Sequence, residues 1–224
     1  MFVETASAIC HRRHASVRAA RWPAVVTLVA IAALYFSLPE RLTPGPSWLL
    51  LAVISVLMVP ATLLHRAGRD RINFVLGIAI LSIITLAVAW SLGTLIHGLF
   101  YHRQAPEDLL RSAGALWLSN VLLFASWYWR LDAGGPHARD TRESHEKGAF
   151  LFPQMTIPSN SKLADARWKP GFVDYLFLAF NTSTAFSPTD VPVLSRWAKL
   201  LMMIQSTISL SIVALLAARA INIL

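Results

Sequence analysis

Residues 172–224 read FVDYLFLAFNTSTAFSPTDVPVLSRWAKLLMMIQSTISLSIVALLAARAINIL. The stretch has three parts: an apolar run over 173–186, a hydroxyl-rich turn ending at Asp190, and a long apolar run from Arg196 to the end. The first part is about 14 residues, roughly 21 Å as a helix at about 1.5 Å per residue, short for crossing a hydrocarbon core of about 30 Å. Lys169, Pro170 and Gly171 stop the preceding chain, and Asp174 falls in the first turn of the new helix, where the helix dipole favours an acid. Such a helix either re-enters the membrane part-way or crosses it as a short span. Irregular backbone at membrane depth is tolerated where protein or water covers it.

The rest of the chain sets the membrane context. Of 224 residues, 55% are hydrophobic and 14% charged, against about a quarter charged in soluble domains. Four further apolar runs precede the C-terminal stretch: Trp22–Leu38, Trp48–Leu64, Ile72–Phe100 and about Leu109–Trp129. With the last helix these predict an all-α integral membrane helix bundle of five transmembrane helices plus the short re-entrant or spanning one. The Ile72–Phe100 run would be roughly 43 Å long at about 1.5 Å per residue, so it tilts or projects. The expected organisation is a basic tail over 1–21, a four-helix region over 22–129, a polar loop over 130–171, and the C-terminal region over 172–224. The 1–21 segment leads into a retained first span with no evident cleavage site.

Charge predicts orientation. Of the 20 Lys and Arg residues, 14 lie in the tail, the 65–71 loop and the 130–171 loop. Four spans between Arg21 and Arg130 put this set on one face, and the positive-inside rule makes that face cytoplasmic in a cell (inner) membrane. The net charge of +8 belongs to these loops and not to a nucleic-acid site. Cys10 is the only cysteine, so no intrachain disulfide forms. His137, Asp140, Glu143, His145 and Glu146 have no defensible metal-ligand spacing, and His97 and His102 read as interfacial. No metal, cofactor or catalytic constellation is read, and no enzyme activity is expected.

The C-terminal stretch resembles the pore module of potassium-channel-type ion channels: pore helix, filter and inner helix. Thr182, Ser183, Thr184, Ala185 and Phe186 stand where that family has the Thr-Thr-Val-Gly-Tyr start of its filter, and Asp190 stands near the acid that follows. Pro192-Val193 and Trp197-Ala198-Lys199-Leu200 resemble the family's Pro-Val and Trp-Gly-Arg-Leu at the inner-helix start. The whole chain is similar to uncharacterised bacterial multi-span membrane proteins. The resemblance implies a cation site at Thr182, Ser183, Thr184, Ser187 and Asp190, and a homo-oligomer in the bilayer with a monovalent cation as ligand.

The sequence also departs from the family. Filter glycines reach positive φ at no steric cost, but Ala185, Phe186, Ser187 and Pro188 occupy that region, and no glycine follows Arg196. Family pore helices enter from outside, whereas the charge pattern brings this one from the cytoplasm. On the last helix Gln205 and Ser209 share a face, as do Thr207 and Ser211. These residues line a wet pore wall or join helices. The expected function is an ion-channel-like or transporter-like membrane protein with a degenerate pore loop. The alternative is a non-conducting scaffold or accessory subunit.

Overall fold

A computed structural model describes residues 22–66, 70–100, 106–141, 148–158, 160–161, 168–185 and 190–221. The described residues form seven α-helices: α1 (Trp22–Phe36), α2 (Trp48–Arg66), α3 (Asp70–Phe100), α4 (Pro106–Leu131), α5 (Pro136–Thr141), α6 (Phe172–Thr184) and α7 (Arg196–Ile221). Short 3-10 turns occupy Glu40–Leu42, Asp132–Gly134 and Pro153–Thr156. The described residues contain no β-strand, only an isolated antiparallel bridge between Phe150 and Val193.

Among the described residues three stretches are long and apolar enough to cross a membrane: Arg71–Gly98, Glu107–Gly134 and Arg196–Ala218. These are three of the five spans read from sequence. Among the described residues α1 and α2 contribute the apolar stretches Val25–Phe36 and Trp48–Pro60.

The central post is α4, which packs against α1, α3, α6 and α7. Its start follows from its sequence: Pro106 opens it, and Glu107 and Asp108 lie in the first turn, facing the positive dipole end. Of its spanning stretch 61% is buried, against 33% in α3 and 28% in α7. At one end of the bundle, Tyr35 bonds Ser91 at 2.9 Å and Arg41 meets Asp108 at 3.4 Å. That ion pair is exposed, so it contributes little. At the other end, the Arg130 guanidinium donates to the carbonyls of Asn73 and Phe74, joining the start of α3 to the end of α4. Arg71, Arg130, Arg139, Lys169, Arg196 and Lys199 belong to this second, basic end.

The described parts of the 130–171 region, expected as a polar loop, include buried apolar residues. Within its described parts Asp132, Arg139, Ala149, Phe150 and Phe152 are buried. The ring of Phe150 contacts those of Tyr128, Tyr175 and Trp197 at centroid distances of 5.3, 6.2 and 6.1 Å. The segment is a lid of aromatic side chains over the basic end of the bundle, held by apolar burial and edge-to-face ring packing.

That lid settles the path of α6. Tyr175 in its first turns and Trp197 at the start of α7 both pack on Phe150. Further along both helices, Ser183 meets Gln205. The two helices therefore run parallel from the same end. By Val193 the chain is back at that end, where the Leu151 amide donates to the Pro192 carbonyl at 3.0 Å and the Leu194 amide to the Ala149 carbonyl at 2.8 Å. Helix α6 is thus a half-length element that enters the bundle and whose chain returns to its starting end before α7 begins.

Candidate functional site

The polar side chains singled out on α6 and α7 divide into two sets facing opposite ways. The inward set centres on Gln205, which is fully buried. Its Nε2 donates to the Ala179 carbonyl at 2.7 Å and to Ser183 Oγ at 2.8 Å. Its Oε1 accepts from the Tyr128 hydroxyl at 2.5 Å. One turn on, Asn120 Nδ2 donates to the Gln205 carbonyl at 3.2 Å and to Ser209 Oγ at 3.1 Å. Ser206 reaches the Thr182 carbonyl at 3.4 Å, while the Thr182 hydroxyl donates to Leu178 on its own helix. Asn120, Tyr128, Thr182, Ser183, Gln205 and Ser209 are all at most 1% exposed.

This geometry decides what Gln205 and Ser209 do. They hold α4, α6 and α7 together, because a polar group buried among apolar helices is tolerated only when its donors and acceptors are met. Both N–H groups of the Gln205 amide and one lone pair of its oxygen are engaged by protein groups. Among the described residues two buried side-chain oxygens, Asn120 Oδ1 and Ser112 Oγ, have no hydrogen-bond partner.

The outward set is Thr184, Thr207 and Ser211. Thr184 and Thr207 are exposed and Ser211 is half-buried. Each hydroxyl donates back to its own helix: Thr184 to Phe180, Thr207 to Met203 and Ser211 to Thr207, at 3.0, 2.8 and 2.8 Å. Such bonds leave the hydroxyl oxygen available as an acceptor on the surface of the chain. Asp190 is also exposed. Ser187 lies outside the described residues. Of the five residues grouped by resemblance, Thr182, Ser183 and Thr184 form the last turn of α6, so their backbone is helical rather than extended. Two of them point inward and one outward.

A second polar centre was not foreseen from sequence. Asp132, fully buried, directly follows α4, and Ala133 comes next in the left-handed region at φ 50°. The Asp132 carboxylate accepts from the Ala149 amide at 2.5 Å and the Tyr175 hydroxyl at 2.6 Å. Burial pushes the Tyr175 hydroxyl well above its ordinary range, partly opposed by the Arg139 charge, so it stays a donor. Arg139 donates to the carbonyls of Trp129 and Asp132, both at 2.8 Å, and lies 5.1 Å from the Tyr175 ring centre. The Asp132 centre ties the end of α4, the lid and the start of α6 into one unit. Its signal in the sequence was the apolar run Ala149–Phe152 inside a polar segment, which has no reason to be solvated.

Gly171 and Asp174 act as read from sequence: the Asp174 carboxylate accepts from the Gly171 amide at 2.7 Å and caps α6. Of the candidate metal ligands, His137 is exposed, and Glu143, His145 and Glu146 lie outside the described residues. Among the described residues no three His, Cys, Asp or Glu side chains converge. No protein-family model, curated protein or solved structure matches the chain.

Proposed function

We propose that the chain is an integral membrane protein of ion-channel-like or transporter-like type, and that α6, the returning segment and α7 form its re-entrant module. The observation that carries this reading is the parallel entry of α6 and α7 from one end, with the chain returning between them at Val193. A half-helix ending inside a bundle directs its carbonyl end, with partial negative charge, toward the interior, which favours a cation. Since Gln205 is fully buried and bonded to protein groups, the cation path in this reading runs along the outer hydroxyl face of Thr207 and Ser211, between protomers of a homo-oligomer. The basic end, with the N-terminal side of α1, is the cytoplasmic one in this reading. No reaction chemistry is assigned: Asp132, Tyr175 and Arg139 satisfy one another.

The test is cation flux into liposomes carrying the purified protein. Flux above that of empty liposomes is expected, with no strong preference for potassium over sodium, because the segment after Thr184 has no glycine to turn carbonyls inward. Thr207→Trp should lower that flux by obstructing the outer face. Absence of flux for both ions would refute the channel-like reading. It would favour the second reading, a non-conducting scaffold or accessory subunit, which the saturation of Gln205 by Tyr128, Ala179 and Ser183 supports.

A further inference from the structure

The basic end holds a cleft that neither polar centre uses. It lies between the start of α3 and the chain from Arg130 to Ala138, with a volume of about 240 Å³. That is ample for a phosphate group. Arg71 and His137 line it and are exposed, and Arg130, Phe74 and the buried Gly135 line it more deeply. The described lining carries two guanidinium groups and one imidazole, and no carboxylate.

The deeper arginine is built in by its surroundings. A Cβ at Gly77 would overlap its guanidinium, so α3 approaches it only because residue 77 has no side chain. Its guanidinium donates to the Asn73 and Phe74 carbonyls and lies 5.8 Å from the Phe74 ring centre. Gly135 has φ +91°, and a Cβ there would come within 2.9 Å of the Arg130 carbonyl oxygen. Two glycines thus let the Arg130 guanidinium lie close to α3 beside the cleft.

Height matters as much as charge. Arg71 begins one candidate spanning stretch and Gly134 ends another. In a bilayer the cleft therefore opens where lipid phosphates lie. Basic pockets between helices at this level suit anionic headgroups, and guanidinium groups match phosphate oxygens in geometry.

We propose that this cleft binds a phosphate anion, carried in the membrane by an anionic lipid headgroup. The inference goes beyond the channel-like reading and does not depend on conduction. The test uses the full chain in mixed micelles, with thermal unfolding followed during titration with phosphatidylglycerol, phosphatidylcholine or inorganic phosphate. Phosphatidylglycerol should raise the unfolding temperature, and phosphatidylcholine should not. Arg71→Gln should raise the half-saturating phosphatidylglycerol about fivefold, the worth of one surface cation at about 1 kcal/mol. His137→Gln gives an independent arm if Arg71→Gln folds poorly, and should weaken binding too. Arg196→Gln, an exposed cation at the same end but outside the cleft, should leave the titration unchanged. Stabilisation by inorganic phosphate as strong as by phosphatidylglycerol would keep the site and assign it to free phosphate. No stabilisation by either, or equal weakening by Arg196→Gln and Arg71→Gln, would overturn the proposal.

Discussion

Gln205→Leu separates a packing role for the inward polar set from a wet wall. Leucine keeps most of the volume and removes three side-chain hydrogen bonds, to Tyr128, Ala179 and Ser183. Hydrogen bonds between membrane helices are worth about 0.6 kcal/mol each on average, so the three together contribute about 2 kcal/mol. Stranding the buried Tyr128 hydroxyl adds about 1 kcal/mol or more. The expected loss is about 3 kcal/mol, a large part of a domain's stability of roughly 5–15 kcal/mol. Tyr128→Phe alone should cost about 1–2 kcal/mol, because it strands Gln205 Oε1. The double variant should cost about 2 kcal/mol less than the sum, because it strands neither a hydroxyl at residue 128 nor an amide oxygen at residue 205 and loses their shared bond only once. Reversible unfolding in mixed micelles, followed by tryptophan fluorescence, measures all three. A Gln205→Leu loss under about 0.5 kcal/mol, additive with Tyr128→Phe, would refute the packing role. A water-lined amide gains little from its protein neighbours and loses little with them.

Two further outcomes follow from the second polar centre and from the polarity of the bundle. Asp132→Ala, which strands the Tyr175 hydroxyl and the Ala149 amide, should destabilise the protein by about 3 kcal/mol, read in the same unfolding assay; a change under about 1 kcal/mol would contradict a buried, bonded carboxylate. In a Cys10→Ser background, Pro44→Cys and Arg196→Cys, at exposed positions on opposite ends, should label from opposite sides of intact cells, with position 44 reached from outside. Labelling of position 196 by an impermeant reagent from outside would reverse the orientation.

The local structure was legible because its causes are local. Apolar runs longer than a helix needs for burial, Pro106 with Glu107 and Asp108 after it, and Gly171 with Asp174 place α4 and α6 close to where the structure has them. The short length of α6 was legible for the same reason, as was the shared face of Gln205 and Ser209. Which way that face points was not. In a soluble helix the polar face points to water. Among membrane helices, lipid is as apolar as the core, so one apolar helix can present its hydroxyls inward or outward with the same sequence pattern. Only the packing of α7 against Tyr128 and Ser183 turned Gln205 inward and Thr207 outward. Whether α6 crosses or returns was undecided by its length, since either path suits 13 residues at some tilt or depth. It was decided by Phe150, a residue in a segment that looked solvated, which touches the starts of both α6 and α7 and pairs with Val193. Contacts of that kind join residues 22 to 47 positions apart, and no local pattern of hydropathy or charge carries information over that separation.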